Sequence, residues 1–134
     1  MKESWRDTIG FEGYYQVSDC GRVRSLDRLV RTRGQGMRLV PGNTLSLFMD
    51  KYGYMAVKLW KSNRGTGVRV HRLVLESFGN IGKQCGHSLE CNHKDGNKSN
   101  NTVDNLEWVS NSENKKHSYR IGLRIPTNQY LCLR

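Results

Sequence analysis

The sequence predicts an α+β fold: a small antiparallel β-sheet module over residues 1–70, a compact ββα unit over residues 71–124, and a short tail over 125–134. Three features point there. Apolar and polar residues alternate in short runs between glycines through the first half, as half-buried strands do. Helical spacing first appears at His71, after which Leu73, Val74 and Phe78 fall on one face. Beyond it, a loop dense in asparagine separates two strand-like runs and precedes a helix with a serine start signal.

In chain order, Gly10, Gly13 and Gly21 punctuate strands at 14–17 and 22–26, and residues 31–36 read as an exposed Arg/Gly loop. Residues 54–60 alternate well, 62–67 turn the chain and 68–70 return it, so 53–70 is expected to be a β-hairpin. A helix over 71–78 follows and stops at Gly79. Leu73, Val74, Phe78, Leu106, Trp108 and Val109 are expected in the core, and Trp5 and Trp60 are expected to pack as well.

Residues 92–101 are too polar and too rich in turn formers for helix or buried strand. They must form a tight loop whose Asn and Asp side chains satisfy its own backbone. Residues 105–109 form a second strand. Ser110 or Ser112 can cap a helix that reaches about Tyr119 and ends at Gly122, with Asn114 and His117 on one face. The unit therefore gathers Asn92, His93, Asn114 and His117, side chains able to offer oxygen or nitrogen to a metal ion or a proton.

The chain's 134 residues carry 22 Lys+Arg against 12 Asp+Glu, a formal charge of +10, with a pI of 9.8 and a mean hydropathy of −0.72. Such an excess points to a polyanionic partner, most simply nucleic acid. No apolar run approaches the ~18 residues of a membrane span, and the first residues lack the apolar stretch of a secretory signal. The charge is uneven: residues 1–72 hold 14 Lys/Arg and 6 Asp/Glu, whereas residues 73–134 hold 8 and 6. Arg22, Arg24, Arg28, Arg31, Arg33 and Arg38 stand together against a single acid, Asp27. Guanidinium forks grip phosphate at two points and read guanine edges, so this stretch reads as a nucleic-acid contact. Cys20, Cys85, Cys91 and Cys132 are too scattered for a disulfide framework. Cys85, His87, Cys91 and His93 lie close in sequence but form no CxxC knuckle, so a zinc site is not expected.

The runs His71-Arg72-Leu73-Val74, Asn92-His93-Lys94-Asp95-Gly96-Asn97-Lys98-Ser99-Asn100-Asn101, Asn105-Leu106-Glu107-Trp108-Val109-Ser110 and Glu113-Asn114 resemble the HNH endonucleases of phage and intron homing type. Ahead of them, Trp5-Arg6-Asp7, residues 9–18 and Gly21-Arg22-Val23-Arg24-Ser25-Leu26 look like the NUMOD4-like DNA-binding module commonly fused to such nucleases.

The resemblance implies a ββα-metal nuclease unit that hydrolyses a phosphodiester bond of double-stranded DNA. His93 matches the general base that takes a proton from the attacking water, a role worth typically ~10²–10⁴-fold and suited to imidazole at neutral pH. Asn92 and Asn114, with His117 as a further candidate, match the ligands of one divalent cation, Mg2+ or Mn2+, that stabilises charge at the scissile phosphate and the departing 3′ oxygen. Asn105, the middle letter of the motif, would brace the loop and orient His93; for Asp95 a structural role in that loop is expected. Many relatives carry Asp where this chain has Asn92, so the ligand pair adds no charge and cation binding is expected to be weak without DNA. The six arginines of 22–38, with Lys58, Arg69, Arg72, Lys94 and Lys98, would contact DNA, with the sheet in the major groove. Larger relatives continue into a helical DNA-binding tail for which 125–134 is too short. A monomer would nick one strand and a homodimer could cut both. The implied setting is the cytoplasm of a bacterial host. The competing reading is a catalytically weak or inactive HNH-fold nucleic-acid-binding protein, which Asn at position 92 keeps open.

Overall fold

The computed structural model describes residues 2–79 and 89–121. Strands β1 (Trp5–Asp7), β2 (Tyr15–Ser18) and β3 (Val23–Ser25) form an antiparallel sheet with β2 in the centre. Gly21, at φ +85°, carries the turn between β2 and β3, a backbone conformation that side chains disfavour. Strands β4 (Arg28–Arg31) and β5 (Met37–Val40) pair with each other as a separate ribbon. This corrects the Arg/Gly loop expected over 31–36: the turn proper is 32–36, closed by the Thr32 amide on the Gly36 carbonyl at 2.9 Å. Arg-Leu-Val-Arg and Met-Arg-Leu-Val each set two apolar residues side by side, so the strict alternation that marks a half-buried strand is absent from the sequence here.

The third sheet orders β6 (Phe48–Met49), β7 (Met55–Lys61) and β8 (Arg64–Arg69) with β7 central. Its hairpin turn is Ser62-Asn63 alone, with φ of 51° and 62°, as a two-residue primed turn requires. Gly65 and Gly67, expected in the turn, lie instead within β8. Gly65 pairs with Trp60, and a Cβ there would stand 3.0 Å from the Trp60 ring and 2.6 Å from the Lys58 side chain. The missing side chain gives the indole room on the sheet surface. Trp60 is 48% exposed, so the expectation that it packs in the core is corrected.

Helix α1 (Val70–Phe78) buries Val70, His71, Leu73, Val74 and Leu75. These meet Tyr15 and Val17 of β2, Val23 of β3, Val57 and Leu59 of β7, and Leu106, so one core runs through both halves of the chain. Each valine or leucine among them contributes ~1.5–3 kcal/mol when fully buried.

The second half is built on β9 (Leu89–His93) and β10 (Leu106–Ser110), antiparallel, with Asn92 opposite Glu107 and His93 opposite Leu106. A 3-10 turn over Val103–Asn105 leads into β10. Helix α2 (Asn111–Arg120) begins at Ser110, whose hydroxyl accepts from the Glu113 amide at 3.2 Å while the Glu113 carboxylate accepts from the Ser110 amide at 2.9 Å. This reciprocal cap selects Ser110 over Ser112 as the start signal; the expected stop, Gly122, lies outside the described residues. Two contacts lock this unit onto the N-terminal sheet. The Val103 amide donates to the Asp19 carbonyl at 2.8 Å, and Asn101 packs against Gly21. Among the described residues no helix is long and apolar enough to cross a membrane.

Candidate active site

Side chains alternate along β9, and that alternation divides the site in two. Cys91 and His93 meet α1, whereas Glu90 and Asn92 lie on the face that carries Glu107 and receives α2.

On the α1 side, His93 is 5% exposed, and its Nε2–H donates to Oδ1 of the equally buried Asn101 at 2.8 Å. That bond commits one ring nitrogen and leaves Nδ1 with the lone pair. The ring stands edge-on to His71, with centroids 5.1 Å apart, and stacks at 6.1 Å with Tyr54. Burial pushes the His71 imidazole down to about 3, and the neighbouring His93, Arg69 and Arg72 act in the same direction. His71 is therefore a neutral wall, and its Nδ1 is buried without a hydrogen-bond partner.

The loop after His93 is held by its own side chains. Asn105 accepts from the Asp95 amide at 3.1 Å and donates to the Asp95 carboxylate and the Asn100 carbonyl, each at 2.9 Å. The Asp95 carboxylate also accepts from the Asn100 amide group and the Asn97 backbone, both at 2.8 Å. Together Asn100, Asn97 and Asn105 hold it below the usual carboxylate range. His117 donates Nε2–H to the Lys94 carbonyl at 2.8 Å and so ties α2 to the start of this loop.

On the α2 side, the two asparagines expected as ligands are each gripped by a carboxylate. Asn92 Nδ2 donates to Glu107 at 2.9 Å, and Asn114 Nδ2 donates to Glu90 at 2.7 Å; Asn111 donates to the other oxygen of Glu90 at 2.7 Å. A carboxamide whose nitrogen is so committed has its oxygen as the remaining ligand end. Asn92, His93 and Asn114 line one cleft of about 280 Å³ with Tyr54, Gly96 and Lys98. His117 is not among its lining residues. The donor set fits a hard divalent cation, which takes oxygen ligands and retains water or phosphate oxygens in its other positions. It does not fit zinc: the Cys91 thiol donates to the His71 carbonyl at 3.8 Å, and burial pushes it up to about 12, far from the thiolate that zinc requires. Cys85 and His87 lie outside the described residues.

The basic residues sort into two groups. Arg28, Arg31, Arg33 and Arg38 are exposed on the β4–β5 ribbon, and Lys58, Arg72 and Lys94 are exposed elsewhere, Arg72 in a loose pair with Glu76 at 3.8 Å and Lys58 over the Trp60 ring at 4.9 Å. Others are engaged within the protein. Arg22 pairs with Glu3, and Arg24 donates to Gln16 at 2.6 Å and lies 4.1 Å over the Trp5 ring. Arg69 pairs with Asp50 at 2.8 Å, and Lys98 donates to the Tyr52 carbonyl at 2.8 Å; both cations lie over the Tyr54 ring, at 4.4 and 4.6 Å. Sequence reasoning missed Asn101, Tyr54, His71, Glu90 and Glu107 as parts of the site. Only Glu107 carried a usable signal, since antiparallel pairing of the two strands sets it directly across from Asn92.

Residues 3–60 match the NUMOD4 motif, and residues 68–116 match the HNH endonuclease family. This chain carries an HNH endonuclease segment behind a NUMOD4 motif. DNA endonuclease I-HmuI of Bacillus phage SP01 is 37% identical over 118 residues, 88% of this HNH chain and 59% of that protein. H-N-H endonuclease F-TflI of Escherichia phage T5 is 33% identical over 82 residues, 56% of this chain and 42% of that one. The structure solved for DNA binding and cleavage by the HNH homing endonuclease I-HmuI superposes with a TM-score of 0.72 at 32% identity, covering 96% of this chain and 65% of that one. The HNH chain thus spans less than two thirds of these relatives.

Proposed function

We propose that this chain is a metal-dependent endonuclease of double-stranded DNA, of the homing type carried by phages and other mobile elements. The observation that carries the reading is the arrangement of His93: buried, with Nε2 committed to Asn101, beside a cleft shared with two carboxamides whose nitrogens are already bound. Nδ1 of His93 accepts the proton of a water held in the cleft, and the bond to Asn101 keeps the ring in the one tautomer that can do so. Asn105 and Asp95 hold the loop rigid behind that base. Oxygens of Asn92 and Asn114 hold one divalent cation, Mg2+ or Mn2+, which when bound supplies Lewis-acid stabilisation of charge at the phosphate and the leaving oxygen. His117 acts on the same side by fixing α2, which carries Asn114, to the Lys94 carbonyl. Arginines of the β4–β5 ribbon, with Lys58, Arg72 and Lys94, grip the DNA backbone and base edges.

The test is incubation of supercoiled plasmid with the wild type and with His93→Ala, in Mg2+ and in Mn2+. Relaxed circles mark a nicking monomer, and linear product marks cleavage of both strands. Equal product from wild type and His93→Ala, or none from the wild type on DNA containing its target, would overturn the reading in favour of a binding protein on an HNH fold.

A further inference from the structure

The cation site proposed above rests on two neutral ligands, yet each is backed by an acid. Glu107 faces Asn92 directly across the β9–β10 pair and accepts from its Nδ2 at 2.9 Å. Glu90, two residues before Asn92 and on the same face of β9, accepts from Asn114 Nδ2 at 2.7 Å. A second donor, Asn111, holds the other Glu90 oxygen at 2.7 Å, so this carboxylate is fixed in place. Two ligands from different elements, a strand and a helix, are thus gripped in the same way.

We infer that Glu107 and Glu90 are positioning residues for the cation. Each holds a carboxamide by its nitrogen, so that the oxygen is the end presented to the metal. Each also returns to the site, one hydrogen bond away, part of the negative charge that the Asn92–Asn114 pair lacks. The physical basis is polarisation. An amide that donates to a carboxylate carries more negative charge on its oxygen, and groups that orient metal ligands in this way typically contribute ~10–100-fold in affinity. The carboxylates cannot be replaced by water in this role, because a water neither fixes which end of the amide faces the metal nor carries charge. The inference rests on the cation reading, and its test separates the two.

The measurement is a Mg2+ titration of the intact chain without DNA, followed by the side-chain amide NMR signals of Asn92 and Asn114. Saturable shifts at both amides are expected in the wild type. Glu107→Gln and Glu90→Gln keep the shape and can still accept the hydrogen bond, so they remove charge alone; each is expected to weaken binding about 10-fold. Glu107→Leu removes the grip as well and is expected to weaken it further. The double change Asn92→Asp with Glu107→Gln reverses the hydrogen bond and moves the charge onto the ligand itself, and it is expected to restore binding at least to the wild-type level. Backbone amide spectra distant from the site report whether each variant is folded. Wild-type affinity in both single Gln variants would overturn the inference while leaving the cation reading standing. No saturable shift at either asparagine in the wild type would overturn both.

Discussion

Gly21 and Asn101 approach so closely that a Cβ on the glycine would lie 2.8 Å from the Asn101 Cβ and 3.0 Å from its carbonyl oxygen. The contact joins the β2–β3 turn to the residue that accepts the His93 Nε2–H. A change in the sheet is therefore felt at His93 through two touching residues.

Gly21→Ala is expected to displace Asn101 and to cost more than backbone strain alone. Gly10 supplies the control, since it has a similar φ of +87° and nothing within 4 Å of its Cβ position. Alanine at position 10 should cost about 1 kcal/mol in urea unfolding, and alanine at position 21 should exceed that and also lower plasmid nicking. Equal unfolding costs and equal nicking in the two variants would contradict the coupling.

Asn101→Leu leaves the His93 Nε2–H buried without an acceptor, a loss of about 1–3 kcal/mol. Nicking is expected to fall at least 10-fold, because the ring is no longer held in one tautomer. Plasmid binding in a gel-shift assay should be unchanged, since Asn101 is buried and the ribbon arginines are untouched. A parallel loss of binding would place Asn101 in DNA recognition instead.

His71 makes stability depend on pH. In the native protein burial holds it neutral down to about 3, whereas in the unfolded chain it titrates at the ordinary value of 6.5. Between those values the unfolded state binds more protons, so the stabilisation is complete above about pH 6.5 and is lost as pH falls, by up to ~1.4 kcal/mol per unit. Urea unfolding at pH 7.5, 5.5 and 4.5 should show this slope in the wild type and a shallower one in His71→Leu. The same slope in both proteins would assign the pH dependence to other groups.

Exposed arginines should govern the salt dependence of DNA binding. Replacing Arg28, Arg31, Arg33 and Arg38 together by Gln is expected to flatten the slope of log K against log salt by about 3–4, near 0.9 for each phosphate that is no longer neutralised. Arg22→Gln and Arg24→Gln are expected to act mainly on stability, because Glu3, Gln16 and Trp5 already engage those side chains. An unchanged slope in the fourfold variant would remove the ribbon from the DNA interface.

The parts of this site that are legible in the sequence are the local ones. Ser110 and Glu113 carry a cap at fixed spacing, and the Asn/Asp loop of 92–101 closes on itself within a few residues. Asn101 is hidden because it is one asparagine among several, distinguished only by the ring it meets. The two glutamates look like the polar face of a strand, and only pairing register and the approach of α2 give them partners. The ribbon is hidden because Arg-Leu-Val-Arg and Met-Arg-Leu-Val lack the strict alternation that marks a half-buried strand. Gly65 reads as a turn former because its reason, the Trp60 ring, stands on the neighbouring strand.

The continuous core has a consequence for altering the target site. The helix that opens the HNH segment buries its apolar face on Val17, Val57 and Leu59 of the segment before it, so the two motifs share one core. Exchanging the N-terminal module wholesale between relatives would strip α1 of its matching surface and loosen the hairpin that carries His93. The β4–β5 ribbon contributes no residue to that core. Substitutions there leave the scaffold intact, so under the proposed function new DNA preferences can be tried along residues 28–40 without repacking the HNH segment.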